Sequence, residues 1–284
     1  MTKPIVSIAK VAARFLPNFL KQSMYRLGPI SRAIRNGLNA SLPNEIQAVE
    51  ISAGLLRGQM MFLDLQSEKD FWLGAYEDPL IDALKRKSKK GMLSYDIGAN
   101  IGYISLIMAR LNGSQGQVIS FEAHPENIAR LQENIEINNL SQQIKCIPKA
   151  VSETSGKASF LVHASGAMGK LSDAFGRDEN YKNQFEVDTI ALDDFIYRDK
   201  HPAPDMIKID IEGAEGLALM GMRRLLKEAK PTLLIELHGP EAAKTVWEEL
   251  SEADYSVRAL KKGYPVVHDL ESMNWKSYIV AEAE

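Results

Sequence analysis

The amino-acid sequence predicts an α/β fold: a largely parallel sheet covered on both faces by helices. Three observations carry that expectation. Short apolar runs that end in polar residues alternate with helix-periodic stretches from Met92 to the C-terminal region, the pattern of strands joined by crossover helices. One such strand runs into the glycine-bearing turn Asp96-Ile97-Gly98-Ala99-Asn100-Ile101-Gly102 and then into a helix. The chain has 284 residues, 45% hydrophobic and 25% charged, enough for one sizeable domain with appendages. Its single cysteine, Cys146, excludes an intramolecular disulfide framework and a cysteine-based zinc site and suits a reducing compartment.

Residues 1–44 hold seven basic residues and no acid, Glu45 being the first. A helix over Ile5–Leu20 would put Lys3, Lys10, Arg14 and Lys21 on one side and Ile5, Ile8, Phe15, Leu16 and Phe19 on the other, with Pro17 as a break. Docking of this segment onto the catalytic domain or a second subunit is the favoured expectation, and peripheral contact with an anionic membrane is the alternative. No apolar run is long enough to span a bilayer and no signal-peptide core is evident, so the expected location is cytoplasmic, with the membrane periphery as the variant. The division expected is a basic extension with a small strand region over 1–67 and a main domain over 68–284. The main elements begin with a strand from Gly58 to Leu65 and a helix from Lys69 through Leu84. That helix ends in the basic run Lys85 to Lys90, whose charges suit its C-terminal dipole without a partner.

The core series follows. Met92 to Tyr95 leads into the turn, and Tyr103–Leu111 forms the next helix. Gln117–Glu122 is the second strand, and Pro125 opens a helix with Ile128, Leu131 and Ile135 at near-helical spacing. Ile144–Val151 reads as a third strand, and His163–Phe185, with Gly166, Gly169 and Gly176, as a long loop suited to substrate selection. Asp205–Ile211 is a buried strand leading to a helix over Leu217–Leu226, and Pro231–Gly239 is the next strand. Ala242–Leu250, Tyr255–Leu260 and Ser277–Ala281 supply a last helix and an antiparallel finish.

The turn's chemistry narrows the ligand. Against the dinucleotide fingerprint G-x-G-x-x-G, the slots counted from Gly98 hold Gly98, Asn100 and Tyr103, so one of three fits. The glycines permit tight backbone geometry, and N–H groups at the helix start are expected to face the ligand space. An acid, Asp96, stands two residues before the first glycine, which suits a cationic ligand and would repel pyrophosphate. Glu122, 20 residues beyond Gly102 at the next strand tip, can accept hydrogen bonds from a ribose diol. Lys208, Asp210 and Glu212 alternate along one strand end, with Glu236 and His238 on the next. Burying that many charges without partners would be costly, so they pair or bind something.

The ordered set D-I-G-A-N-I-G-Y, F-E-A-H-P-E-N with N-I-E-I-N-N, T-I-A-L-D-D, I-K-I-D-I-E-G-A-E and L-L-I-E-L-H resembles the FkbM-type branch of the class I methyltransferases that use S-adenosylmethionine (SAM). The resemblance covers about Gly74 to His238, with weaker similarity to Val280, and Trp72 to Glu77 resembles the family's lead-in. It implies the class I methyltransferase (Rossmann-like) fold, a seven-stranded, mostly parallel sheet with helices on both faces, behind an N-terminal helical and strand extension. It also implies SAM as methyl donor and O-methylation of a hydroxyl on a sugar, glycan, polyketide or similar small molecule. The cofactor contacts it implies are Asp96, Gly98, Asn100, Gly102, Glu122, Ala123, Ala150 and Asp210. The family usually reads E-P after the second strand, whereas Ala123 and His124 stand between Glu122 and Pro125 here, which bears on contacts to the adenosine edge.

His238, the best base at neutral pH by its intrinsic pKa, is the expected proton acceptor, with Asp210 or Glu236 orienting it and Lys208 neutralising the group or orienting the acceptor. A divalent cation on Asp210, Glu236 and His238 is the less favoured alternative; metal-independent base catalysis is preferred. Rival functions are a nicotinamide-dependent sugar-nucleotide enzyme, which lacks its third glycine and a Tyr-x-x-x-Lys pair here, and a non-catalytic SAM-binding scaffold. A base-modifying methyltransferase would carry an N/D-P-P-Y/F turn where Asp210-Ile211-Glu212-Gly213 stands. Net charge is −3, giving no reason to expect nucleic acid as a partner, and a homo-oligomer is compatible with the sequence.

Overall fold

A computed structural model describes residues 45–163, 169–172, 174 and 181–283; the expected N-terminal amphipathic helix lies outside the described residues. The described residues divide into two compact units, 45–78 with 136–138, and those from 79–135 with those from 139 onward. In the first, β1 (Gln47–Glu50) pairs antiparallel with β2 (Met60–Leu63), and Asn138 closes the group by accepting the Met60 N–H and donating to the Met60 carbonyl. The helix expected over Lys69–Leu84 is two helices, α1 (Lys69–Leu73) and α2 (Asp78–Lys87). Gly74 breaks them with φ 62°, and a Cβ there would lie 2.2 Å from the Ala53 carbonyl oxygen, so only glycine fits.

The second unit is built on an eight-stranded sheet. Its strands are β3 (Leu93–Ile97), β4 (Gln117–Phe121), β5 (Ile144–Ile147), β10 (Met206–Ile209), β11 (Thr232–Glu236), β12 (Tyr255–Ala259), β13 (Val266–Val267) and β14 (Tyr278–Ala283). Their order is β13-β12-β14-β11-β10-β3-β4-β5. The five strands from β11 to β5 are parallel, while β14 inserts antiparallel between β11 and β12. This is the expected seven-stranded sheet with the two-residue β13 added at its edge.

Period-2 alternation sorts the two faces. Tyr95, Ile97, Ile119 and Phe121 join the main core, which takes in Leu219, Leu225, Val246 and Leu250 from α5 (Glu215–Met220), α6 (Arg223–Glu228) and α7 (Pro240–Glu252). The rings of Tyr95, Phe121 and Phe195 sit 5.2–6.0 Å apart in tilted and edge-on pairs, the geometry aromatic quadrupoles favour. The opposite face carries Ser94, Asp96 and Ser120 towards α3 (Tyr103–Asn112). There Asn112 donates to Ser94, and Ser105 links Asp96 and Ser120. These hydrogen bonds meet part of the seam's polar demand, while Asp96 Oδ1 and Asn112 Oδ1 remain without a hydrogen-bond partner among the described residues, Asp96 Oδ1 lying 3.3 Å from Lys208 Nζ.

Two further expected elements are broken. The third strand ends at Ile147, and Ala150–Val151 forms β6 in a different sheet, Pro148 interrupting the ladder. The helix expected over Leu217–Leu226 splits at Gly221 into α5 and α6, and the Asp193 carboxylate accepts the N–H groups of Arg224 and Leu225 at the second start. The expected loop His163–Phe185 is mostly sheet where it is described. β7 (Gly156–His163), β8 (Gly169–Leu171) and β9 (Tyr181–Ile190) form a four-stranded sheet in the order β6-β9-β7-β8. Its apolar cluster of Phe160, Val162, Leu171 and Val187 packs against Ala123, Ala150 and Ile211, which places this sheet beside the strand tips of the main one.

Candidate functional site

β4 and β10 flank β3, so connections leave β3 in opposite directions and a crevice opens at the carboxyl ends of these strands. The turn after β3 fills one side of it. Gly98, Asn100 and Gly102 all have positive φ (75°, 50° and 91°). A Cβ on Gly98 would lie 1.9 Å from the Asp210 carbonyl oxygen, and one on Gly102 would lie 2.5 Å from Leu131 Cδ1. Both glycines therefore allow close protein packing, Gly98 pressing the turn against the end of β10 and Gly102 seating α3 on α4 (Pro125–Ile137).

Four N–H groups of the turn that precedes the helix start are bonded within the protein. Gly98 and Ala99 donate to the Phe121 carbonyl, Asn100 donates to Glu122 Oε2 at 2.8 Å, and Gly102 donates to Ala99. Glu122 Oε1 accepts the N–H groups of Ala123 and His124, so the carboxylate clasps its own strand end and the neighbouring turn. Burial pushes its pKa up, opposed by these backbone hydrogen bonds and one from the Asn127 side chain.

Asp96 lies beneath the turn: it is fully buried, accepts a 2.6 Å hydrogen bond from Ser105 and lies 3.3 Å from Lys208 Nζ. Lys208, also buried, donates to the Gly98 carbonyl at 2.9 Å and lies 3.6 Å from Asp210. This position fits the expected role of neutralising the acids. The pair ties the turn to the end of β10. Ala123 and Ala150 meet at the apolar cluster of the second sheet, where His124 packs edge-on to Phe160 and Phe185, forming an apolar wall next to Glu122.

The strand tips of β10 and β11 converge as alternation predicted. His238 Nε2 lies 3.9 Å from Asp210, 3.8 Å from Glu212 and 3.6 Å from Glu236. Glu215, which the sequence reading took only as part of a helix start, is fully buried and bonds His238 Nδ1 through Oε1 at 2.9 Å. The same oxygen accepts the N–H groups of Ile211 and Gly213, an arrangement made possible by the left-handed Glu212 (φ 53°) and by Gly213 (φ 106°). The final E of I-E-G-A-E was the available signal for it. Burial opposes the charge on His238, but the Glu215 hydrogen bond and the charges of Glu215, Asp210 and Glu212 outweigh that and push its pKa up to about 9. A ring held in this way keeps its proton at neutral pH and must lose it before acting as the expected base.

Residues 96–257 match the model of the methyltransferase FkbM domain. The hexuronic acid methyltransferase AglP of Haloferax volcanii is 27% identical over 187 residues, covering 65% of this chain and 72% of AglP. Among solved structures, a methyltransferase FkbM from Methylobacillus flagellatus aligns with TM-score 0.46 and 20% identity, over 76% of this chain and 53% of that one. An O-methyltransferase from Bacillus cereus in complex with SAH aligns with TM-score 0.45 and 17% identity, over 72% of this chain and 79% of that one. The strand order and the matched domain define a methyltransferase of the Rossmann-like class. Within that class, the chain belongs to the FkbM family. No helix among the described residues is long and apolar enough to cross a membrane.

Proposed function

We propose that this methyltransferase binds SAM in the crevice between the turn after β3 and the tip of β4, and methylates a hydroxyl oxygen of a sugar or related small acceptor. The observation that carries this reading is the use of the turn's own donors: Gly98, Ala99, Asn100 and Gly102 spend their N–H groups on protein oxygens. A turn that spends these four donors on protein oxygens and is backed by Asp96, Glu122 and Asp210 is poorly suited to pyrophosphate and suited to a ligand carrying positive charge. SAM is such a ligand and brings an electrophilic methyl already activated by its sulfonium.

The residues then divide by place. Asn100 and Glu122 set the cofactor's edge, and Ala123 and Ala150 offer the apolar wall for its base. Asp210, Glu236 and His238 face the acceptor, whose hydroxyl proton goes to a carboxylate oxygen of Asp210 or Glu236, since His238 holds its proton at neutral pH. Holding the acceptor oxygen in line with the methyl supplies the rest of the rate. The sugar in the name of the Haloferax relative supports a glycan or sugar acceptor. The basic segment before residue 45 is proposed to dock on protein, with anionic lipid as the competing surface.

Incubating the enzyme with methyl-labelled SAM and a panel of sugars, uronic acids and small alcohols, followed by NMR of the product, tests the reading. A methyl ether is the expected product. Methyl on nitrogen or carbon would reject oxygen as the acceptor atom, and SAM-independent hydride chemistry would reject the class.

A further inference from the structure

We propose that Asp210, Glu236 and His238 form a binding site for one divalent cation of the Mg²⁺ or Mn²⁺ kind, at the junction of the β10 and β11 tips. Each of the three offers a ligand atom, and these atoms lie within 4.8 Å of one another. The spacings from His238 Nε2 to Glu236 and Asp210, 3.6 and 3.9 Å, are too long for hydrogen bonds. They are close to the spacing of atoms that share one ion, since metal–ligand bonds of about 2.0–2.3 Å set neighbouring ligands roughly 3–3.5 Å apart. Small side-chain shifts would close the gap.

Glu215 supplies an independent observation. Metal-binding histidines characteristically give their second ring nitrogen to a carboxylate, which fixes the ring and its tautomer. His238 Nδ1 is held in that way by Glu215 Oε1 at 2.9 Å, and Nε2 is thereby aimed at Asp210, Glu212 and Glu236. Glu215 is fully buried, and its second oxygen, Oε2, has no hydrogen-bond partner among the described residues. A buried carboxylate left partly uncompensated is costly unless positive charge stands nearby. The Lys208 ammonium stands beside Asp96 and Gly98, 3.6 Å from Asp210, and in the metal-free protein the protonated His238 ring is the positive charge next to Glu215. An ion between Nε2 and the two strand-end carboxylates would displace the Nε2 proton and supply the positive charge in its place. The two carboxylates suit Mg²⁺ and Mn²⁺, and the imidazole favours the transition metal of the two, Mn²⁺.

The ion's role at the acceptor, lowering the pKa of a bound hydroxyl, rests on the proposed function; its binding does not. The test is a Mn²⁺ titration of the full-length protein after EDTA and desalting, read by loss of the free-ion electron paramagnetic resonance signal. One saturable site per chain is expected, weakened at least tenfold in Glu236→Gln and in His238→Gln. Glu215→Gln should weaken it by about 10- to 100-fold, the usual effect of losing a ligand's supporting carboxylate. Circular dichroism melts identify any variant that does not fold, and the half-exposed Glu236 position carries the test if the Glu215 variant fails. Absence of saturable binding in the wild type, or equal binding in folded Glu236→Gln and His238→Gln, overturns the site. SAM calorimetry on the same sample separates the two readings: SAM binding without Mn²⁺ binding overturns this site alone, and Mn²⁺ binding without SAM binding overturns the proposed function alone.

Discussion

The Glu122 carboxylate accepts the backbone N–H of Asn100 at 2.8 Å, joining the tip of β4 to the turn after β3 across 22 residues of sequence. Asn100 sits at φ 50°, a conformation that costs energy outside glycine and persists where its surroundings hold it. One acid thus shapes the turn that the sequence reading expected it merely to face.

Replacing Glu122 by alanine releases three backbone N–H groups at once. SAM affinity should fall by roughly 1–3 kcal/mol, the cost of leaving polar partners unpaired. Calorimetry on the folded variant checks this, and an unchanged dissociation constant would remove Glu122 from the cofactor site.

Gly98→Ala should destabilise the protein by about 1–3 kcal/mol or more, since φ 75° and a 1.9 Å approach to the Asp210 carbonyl both resist a Cβ. A urea melt with unchanged midpoint would show that the turn and β10 are less tightly pressed than described.

Asp96 and Lys208 form a buried pair, so removing one partner strands the other charge. Lys208→Met should cost on the order of 3–5 kcal/mol, and the double variant Asp96→Asn with Lys208→Met should recover much of it. Additive losses in the double-mutant cycle would count against the pairing.

The pKa of His238 is raised above its unfolded value near 6.5. The folded state therefore holds this proton more tightly, and the resulting stabilisation is complete below about pH 6.5 and lost as pH rises towards 9. In EDTA-containing buffer, the gap in melting temperature between wild type and His238→Gln should narrow over that window. A gap that is constant with pH would show that Glu215, Asp210 and Glu212 do not hold the proton.

The parallel sheet and most of its strands were legible because hydrophobic alternation and polar strand ends are local signals. The interruptions at Gly74, Pro148 and Gly221 were less so. Continuous apolar periodicity hid breaks that depend on contacts far along the chain, such as the Ala53 carbonyl at Gly74 and the Asp193 cap near Gly221. The strand-tip residues Asp210, Glu236 and His238 came together as their spacing implied. Their protonation did not follow from spacing, because it depends on Glu215, brought in by the tight turn at Glu212 and Gly213. Likewise Asp96 and Lys208 read as ligand-facing charges, while register places them opposite each other beneath the turn, where they satisfy one another.

Paired calorimetric titrations of the full-length protein with SAM and with NAD test the central claim most directly. The N–H groups of Gly98, Ala99, Asn100 and Gly102 are committed to protein oxygens and Asp96, Glu122 and Asp210 stand by the turn, so SAM should bind at one site per chain and NAD should give no saturable heat. Saturable NAD binding with none for SAM would contradict the account.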